Sequence, residues 1–320
     1  MANYTEKKIG EFKAGDSVCG YFYVKESELK TTTTNNKYMN FCFADQTGEI
    51  NAKLWDWDEE NAVRFKAGIL VHAKGTVLDW QGQLQFKIDL LRRTTDADPV
   101  KLENYIPSAP YSGESMLNFI ETCIAQMKDE ELKRLVATVI DQYRDRLLFY
   151  PAAKKNHHAV RCGLLYHTAT MLKGAVALSK IYTFLNTDLL YAGVILHDMG
   201  KMDEMSVNDS GLVSEYTTEG MLLGHLVQGV KNIEKIGTGL GINPEKILLI
   251  QHMLLSHHYI PEHGSPKSPA FPEAELLHYL DIVDARMYDM NKAMESTEPG
   301  TFSDRIWSLE NRSVYKNNCF

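Results

Sequence analysis

The sequence of 320 residues is poor in cysteine and contains no closely spaced pair of cysteines. Cys19, Cys42, Cys123, Cys162 and Cys319 are scattered, odd in number and without a Cys-x-x-Cys spacing. A structural zinc ribbon needs such closely spaced thiols, and a disulfide framework needs an even, patterned set. The cysteine pattern therefore argues against both and favours a reducing compartment.

The sequence also lacks a long apolar run, an apolar signal core after Met1 and a Gly-x-x-x-x-Gly-Lys phosphate-binding loop. Because these segments are absent, the sequence predicts neither a membrane span nor coupling to ATP hydrolysis. We therefore expect a cytoplasmic protein that has no membrane partner.

Positive charge is in deficit as well. The chain holds 34 Lys and Arg against 42 Asp and Glu, a net charge of −8. The first 95 residues contain 13 of each sign, so the whole deficit lies in the remainder. A protein that binds a nucleic-acid duplex tightly usually has an excess of Lys and Arg, which this chain does not have. An enzyme that feeds one strand end to a cationic metal centre needs only local positive charge.

The most informative feature that is present is the His197-Asp198 doublet, which ends an apolar run over residues 189–196. The run predicts a buried helix that stops at Gly200, where a residue free to take positive φ is favoured. Two adjacent metal-capable side chains at the inner end of a buried helix are costly unless a partner satisfies them. A divalent cation would be such a partner, and a hydrogen-bonded structural pair is the alternative.

Other histidines and acids recur in apolar helical stretches, at intervals of about one helix and one loop. They are His167, His225, His257, His258, Asp281 and Asp284. One buried histidine is more often a satisfied core residue, but this many on five apolar helices predict a metal site. Imidazoles mixed with carboxylates and no thiolate suit Mn, Fe, Co, Ni or Zn, with Mg less favoured.

Residues 18–88 follow a different pattern, in which short alternating segments are separated by turn signals. The predicted strands cover residues 18–25, 38–43, 50–55, 69–78 and 84–88, with a short helix at 58–65. Three strands, a small helix and two strands match the five-stranded OB barrel, which commonly binds single-stranded nucleic acid.

Aromatic and basic side chains of this predicted barrel are candidates for nucleic-acid contacts. Tyr21, Tyr23 and Tyr38 are candidate stacking platforms, and Lys37 is a candidate contact to the phosphate backbone. The alternatives are surface tyrosines, tyrosines covered by the neighbouring domain, and a lysine that serves solubility.

The pattern changes again after the predicted barrel. Residues 96–113, rich in Asp and Pro with a Ser-Gly pair, predict a linker. Leu117 and Ile120 then fall at helical spacing and begin an apolar stripe. The predicted fold class is multidomain: a small all-β OB barrel over residues 1–95, followed by an all-α domain over residues 114–320.

The doublet, with a histidine before it and an aspartate after it, resembles the HD superfamily of metal-dependent phosphohydrolases. Within that superfamily, the ordered motifs of this chain are similar to those of the YhaM-type 3'-5' exoribonucleases. The motifs are Pro151-Ala152-Ala153-Lys154, His157-His158-Ala159, residues 162–168, His197-Asp198-Met199-Gly200-Lys201, residues 220–225, Leu255-Ser256-His257-His258 and residues 277–285. Two positions depart from the family pattern, because Cys162 replaces a Gly and Tyr166 replaces a Glu.

This resemblance implies that the helical domain is of the HD type and that the enzyme shortens single-stranded RNA from its 3' end to nucleoside monophosphates. It also implies one or two divalent metals, with manganese favoured. The ligands of a first ion would be His167, His197, Asp198 and Asp281. Asp198 would bridge to a second ion, whose other ligands would be His225, His257 and His258.

Residues at and near the doublet and beyond Asp281 are candidates for catalytic and substrate-binding roles. Asp198 and Lys201 are the predicted catalytic residues. Lys201 would offset charge on the phosphoryl oxygens, unless it only compensates a helix dipole. Arg286, a little over one turn beyond Asp281, would contact a phosphate or form a surface salt bridge.

Two rival functions stay open. Another HD phosphohydrolase, either a nucleotidase or a cyclic-dinucleotide phosphodiesterase, would use the same ligands. Tyr259-Ile260-Pro261 is not the Gly-Tyr-Pro signature of the cyclic-dinucleotide branch. The other rival is a non-catalytic OB adaptor whose helical domain docks partners. The sequence also leaves open whether single-stranded DNA is a substrate and whether the chain forms a homo-oligomer.

Overall fold

The structure is a computed structural model that describes residues 4–32, 35–55, 63–154, 157–208 and 210–319. The chain divides into two compact units, residues 1–108 with 208–210 and residues 109–207 with 211–320. Within the described ranges, no helix combines the length and the apolar character that crossing a membrane requires.

The first unit is built on a closed β-barrel. Its strands are β1 (Thr5–Glu6), β2 (Ser17–Thr31), β3 (Lys37–Asp45), β4 (Gly48–Leu54), β5 (Leu70–Trp80) and β6 (Gln83–Arg93). The strand order is β1-β2-β3-β4-β6-β5, and a further pairing of β2 with β5 closes the ring. The five long strands confirm the predicted OB barrel. Most of the predicted helix at 58–65 lies outside the described residues.

The barrel core follows the predicted alternation of side chains. Val18, Phe22 and Val24 point inward from β2 and are almost fully buried. Phe22 stacks on Phe43 of β3 with 5.5 Å between the ring centroids. Alternate residues of a strand face opposite sides of a sheet, so an apolar residue at every second position fills the interior.

Tyr23 corrects one prediction for the barrel surface. Its side chain is only 4% exposed, because it packs with Leu70 and Ile106 in a small apolar cluster outside the barrel. Its hydroxyl is hydrogen-bonded to the hydroxyl of Ser210 at 2.7 Å. A base cannot stack on a ring that is covered in this way, so the predicted stacking role of Tyr23 is wrong.

The second unit is mainly helical. Its helices are α1 (Gly113–Ala125), α2 (Glu130–Leu147), α3 (Gly163–Leu178), α4 (Thr187–Leu196), α5 (Lys201–Glu204), α6 (Thr218–Gly239), α7 (Pro244–Ser256) and α8 (Pro272–Glu295). A hairpin of β7 (Met205–Val207) and β8 (Val213–Tyr216) follows α5, and single 3-10 turns occur at Pro261–His263 and Trp307–Leu309.

Helix α4 is the centre of this unit. It begins after Asn186, whose side chain accepts a hydrogen bond from the backbone N–H of Leu189. It packs against α2, α3, α7 and α8, and Leu190 and Ile195 are fully buried. Because apolar neighbours surround α4, the residues that follow it, starting at His197, enter the interior of the unit.

Gly200 has a different role from the predicted one. Helix α4 already ends at Leu196, and Gly200 has a helical φ of −61°. A Cβ atom at this position would lie 2.3 Å from the carbonyl oxygen of His225 and 3.0 Å from the backbone nitrogen of Gly229. Glycine is therefore required because helix α6 approaches the backbone here, and not because φ is positive.

Gly224 supplies the positive φ in this region. Its φ of 68° and ψ of 165° interrupt α6. The interruption brings the backbone N–H of His225 to 3.3 Å from Oε1 of Glu204, which accepts a hydrogen bond. Glycine adopts such a conformation without the steric cost that a side chain would add.

We predict that Gly200→Ala destabilises the helical unit by about 1–3 kcal/mol, the usual cost of forcing extra atoms into a packed interior. Thermal or urea unfolding would measure this loss. Gly239→Ala is the matched control, since a Cβ atom at Gly239 meets nothing within 4 Å. The control should be neutral or stabilising by up to about 1 kcal/mol. Equal effects of the two substitutions would contradict the close-approach argument.

Candidate metal centre

Three helices bring a first group of metal-capable atoms together. His167 comes from α3, the doublet of His197 and Asp198 follows α4, and Asp281 lies on α8. Nε2 of His167 lies 3.3 Å from both Nε2 of His197 and Oδ1 of Asp281. Nε2 of His197 lies 3.3 Å from Oδ2 of Asp198. Ligands about 2.1 Å from one ion lie roughly 3 Å apart, so this spacing suits a shared cation.

A second group lies on the other side of Asp198. Oδ1 of Asp198 is 3.6 Å from Nε2 of His225 and 3.8 Å from Nε2 of His257. His225, His257 and His258 each offer one nitrogen within 4.8 Å of the others. Asp198 therefore faces both groups, one with each carboxylate oxygen.

Three atoms at the centre of this arrangement are buried and have no hydrogen-bond partner. They are Oδ1 of Asp198, Nε2 of His225 and Nε2 of His257. Buried polar atoms are nearly always paired, because leaving one unpaired costs its full desolvation energy. Two imidazole nitrogens and a carboxylate oxygen that face each other without partners form a donor set that fits a divalent cation.

In His197 and His257, the ring nitrogen that faces away from the site is held by a hydrogen bond. Nδ1 of His197 lies 2.8 Å from the carbonyl oxygen of Val194, and Nδ1 of His257 lies 2.8 Å from that of Leu254. A proton on each Nδ1 would be donated to the carbonyl. This arrangement leaves Nε2 free of a proton and directed at the site. Metal-ligating histidines are generally oriented by such a hydrogen bond from the other ring nitrogen.

Carboxylates hold two further histidines of the site. Nδ1 of His225 lies 3.1 Å from Oε2 of Glu204, and Nδ1 of His167 lies 2.7 Å from Oδ2 of Asp284. The sequence analysis counted Asp284 among the residues that predict a metal site but did not make it a ligand, and it did not single out Glu204. Asp284 stands three residues after Asp281 on one helix, a spacing that places both on one face and could have revealed it. No spacing rule connects Glu204 to His225.

Asp284 also contacts a histidine that the ligand prediction left out. Its Oδ2 atom lies 2.7 Å from Nε2 of His158 as well, so one oxygen is shared by two rings. His158, His167 and Asp284 form another group whose atoms lie within 4.8 Å of one another. The signal for His158 was its place in the His157-His158-Ala159 motif.

The electrostatics of the first group show how strongly it attracts positive charge. Burial raises the pKa of Asp281, but its hydrogen bond to His167 and the surrounding histidines lower that pKa further, well below the usual range. Burial lowers the pKa of His167, yet Asp281 and Asp284 raise it to about 10. Where no metal is bound, a proton on His167 supplies the positive charge that these carboxylates require.

Lys201 is the cation nearest to the doublet. Its Nζ atom lies 2.7 Å from Oδ2 of Asp198. Burial lowers the pKa of Lys201, but the charge of Asp198 raises it above its usual value, so the ammonium stays protonated. Burial and the neighbouring His258 lower the pKa of His257 well below its usual value, which keeps this ring neutral and able to bind a metal.

The seven predicted metal ligands thus lie together in the second unit, and their role as ligands stays a prediction. A cavity of about 640 Å³ is lined by Asp198, Lys201, His257, His258, Asp281 and Arg286, among others. Arg286 forms the salt bridge that was its alternative role, donating to the two carboxylate oxygens of Glu310 at 2.6 and 2.9 Å. Its contact with a phosphate stays a prediction.

The other predicted nucleic-acid contacts belong to the barrel. The hydroxyl of Tyr21 donates to Asp98 at 2.9 Å, and its ring packs on His72. Tyr38 stacks on Trp55 with ring centroids 4.8 Å apart, which leaves Trp55 40% exposed. Lys37 is exposed at the start of β3. The sequence analysis did not single out Trp55.

We predict that Asp284→Ala lowers the affinity for divalent metal by about 10- to 100-fold, the usual effect of losing a partner of a metal ligand. Calorimetric titration of metal-depleted protein with manganese would measure the affinity. Glu295→Ala, in the last turn of the same helix, is the control and should bind metal like the unaltered chain. Unchanged affinity in Asp284→Ala would show that this carboxylate does not orient His167.

Comparison with known proteins identifies similar sequences and structures for both parts of the chain. The family model described as the HD domain matches residues 164–286, which include every predicted ligand. A solved domain of replication protein A from Methanococcus maripaludis is 24% identical, covers 27% of this chain and 92% of its own, and has a TM-score of 0.23. The pairing of the strands, and not this likeness, establishes the barrel.

Curated relatives match over almost the whole chain. The 3'-5' exoribonuclease YhaM of Halalkalibacterium halodurans is 40% identical, over 96% of this chain and 95% of its own. The protein of the same name from Listeria welshimeri is 40% identical, over 97% of this chain and 98% of its own. The chain therefore belongs to the YhaM 3'-5' exoribonuclease family.

Proposed function

We propose that this chain is a divalent-metal-dependent 3'-5' exoribonuclease that hydrolyses single-stranded RNA to nucleoside monophosphates. The observation that carries the proposal is the set of facing, unpartnered atoms on Asp198, His225 and His257 beside the ammonium of Lys201. The direction of shortening and the RNA substrate rest on the family and on the names of the relatives.

Two metal sites share Asp198 in this proposal. The first set of ligands is His167, His197, Asp198 and Asp281, and the second is Asp198, His225, His257 and His258. A bound metal lowers the pKa of a water and offsets negative charge on phosphoryl oxygens. Manganese is the proposed metal because the family resemblance favours it, while the donor set also suits Fe, Co, Ni and Zn.

Among the residues that the structure describes, Lys201 and Arg286 are the Lys and Arg side chains that line this cavity. Lys201 is held at 2.7 Å from Asp198 and keeps its positive charge there. In the proposed reaction its ammonium donates hydrogen bonds to the phosphoryl oxygens, where negative charge develops. Its nearby positive charge also makes deprotonation of a neighbouring water easier.

The barrel supplies affinity for the rest of the strand. Tyr38 and Trp55 stack on each other and form an aromatic surface, and Nζ of Lys53 lies 5.4 Å from the centroid of the Tyr38 ring. Stacked aromatics with a lysine beside them suit single-stranded nucleic acid, because every base has a flat face and every linkage a negative charge. Residues 1–95 are thus the proposed RNA-binding domain and residues 114–320 the hydrolytic domain.

We predict that the chain shortens a 5'-labelled single-stranded RNA stepwise in the presence of manganese. A 3'-labelled strand should release its label as mononucleotide from the first time points. A strand with a 3' overhang on a GC-rich stem should stop near the stem, since the acidic balance of the helical domain disfavours a second phosphate strand nearby. Gel or chromatographic analysis of the products would read all three results.

The control for this assay is Asp198→Ala, which should lose at least about 100-fold in rate because metal catalysis contributes several kcal/mol. Asp145→Ala, at an exposed position of α2, should leave the rate unchanged. Internal cuts, passage through the stem, or turnover of free nucleotides in place of RNA would contradict the exonuclease proposal. Retention of RNA binding without hydrolysis by the unaltered, metal-loaded chain would favour the adaptor alternative.

We further predict that replacing both Tyr38 and Trp55 by Ala weakens RNA binding by about 1–3 kcal/mol for each base that stacks there. The effect should be larger on long strands than on dinucleotides, because short substrates need only the metal cavity. Fluorescence anisotropy with labelled RNA would measure it. Trp80→Ala, which removes an exposed aromatic at the end of β5, is the control. Equal losses in the two variants would remove the stacking role from the Tyr38–Trp55 surface.

A further inference from the structure

The C-terminal segment of the chain forms one wall of the metal cavity. Trp307, Ser308, Glu310 and Asn311 line the same space as the proposed metal ligands. Trp307 is 75% exposed, the most exposed tryptophan among the described residues. Tryptophan offers a large flat apolar surface, and at the mouth of a cavity that surface is available for a flat ligand to stack on.

The turn that carries Trp307 is firmly attached to helix α8. Leu309 is fully buried, and the hydroxyl of Ser308 donates to Oδ2 of Asp289 at 2.5 Å. Arg286 of α8 donates two hydrogen bonds to Glu310. These contacts hold the backbone that follows Trp307, and on its other side the backbone N–H of Ile306 donates to the carbonyl oxygen of Arg312 at 3.0 Å. The fold therefore sets the position of the Trp307 backbone before any ligand arrives.

The backbone next to the turn adopts a costly conformation. Glu310 and Asn311 have φ values of 52° and 58°, in the left-handed region that residues other than glycine rarely occupy. The backbone N–H of Asn311 donates to the carbonyl oxygen of Ile306, which closes the loop. Strain of this kind persists where surrounding contacts enforce it, and here those contacts present Trp307 to the cavity.

The chemistry of this wall matches a nucleobase better than a phosphate. Arg286 is neutralised by Glu310, and the carboxylate of Asp289 lies beside it. Ile282 adds apolar surface. A phosphodiester would be repelled by these carboxylates, whereas a flat base gains by stacking on an indole, and ribose hydroxyls can donate to carboxylates.

We propose that Trp307 is the platform on which the base of the 3'-terminal nucleotide stacks while its phosphodiester lies at the metal ligands. This inference rests on the proposed exonuclease function and adds a binding subsite to it. Stacking on a flat ring accepts any base, so the subsite suits an enzyme that shortens RNA without regard to sequence. Trp307 acts on binding, and its loss should affect KM more than kcat.

The test compares Trp307→Ala with the unaltered chain on two short oligoribonucleotides that differ only in whether the 3'-terminal nucleotide carries a base. On the strand with the base, Trp307→Ala should raise KM about tenfold. On the abasic-ended strand, the two proteins should have equal KM. Trp307→Phe should restore most of the affinity, because it keeps a flat aromatic ring.

Phe302→Ala is the matched control. Phe302 is an exposed aromatic of the same segment, 68% exposed, that does not line the metal cavity. Its loss should leave both substrates unaffected. Binding of the two oligonucleotides with the metal removed by EDTA gives a readout that does not depend on turnover, and thermal unfolding confirms that each variant is folded.

Two results would overturn the inference: an unchanged KM in Trp307→Ala, or an equal loss on the normal and the abasic-ended strand. These results concern Trp307 alone when the unaltered chain shortens RNA normally. If the unaltered chain does not shorten RNA at all, the exonuclease function itself fails, and the Trp307 subsite fails with it.

Discussion

Asp198 carries a negative charge in the interior of the helical unit, and the surrounding elements are arranged to compensate it. Burial alone would raise the pKa of this carboxyl, but Lys201 and His197 hold it well below its usual value. An isolated buried carboxylate would be strongly destabilising. Lys201 and His197 must therefore come within reach of Asp198 as the chain folds, so that folding of this unit and assembly of this part of its site are one process.

Regular patterns in the sequence predicted the regular secondary structure, that is, the strands of the barrel and the apolar helices. The alternation around Phe22 predicted the inner face of the barrel, since the period of two follows directly from strand geometry. His167 and the doublet stood out because polar residues in apolar helices are rare and costly. The family motifs then grouped these residues correctly in space, including His225, which lies on a separate helix.

Contacts between residues far apart in the sequence could not be predicted from such patterns. Alternation placed Tyr23 on the outer face of the barrel, but only the folded structure shows that Ile106 covers it. Glu204 meets His225 because a close approach and a kink in a helix bring them together. Trp307 lies in a short irregular segment, where no periodicity separates an exposed aromatic with a role from one without.

The contacts of His225 with Glu204 show at what stage the conformation of this ligand side chain becomes fixed. One carboxylate accepts from both the backbone N–H and the ring Nδ1–H of the same residue, through different oxygens. Rotating the imidazole away breaks one of these bonds, and moving the backbone breaks the other. The conformational entropy of this side chain is therefore given up when the chain folds. A metal that arrives later meets a ring already in position, and less of its binding free energy is spent on ordering the protein.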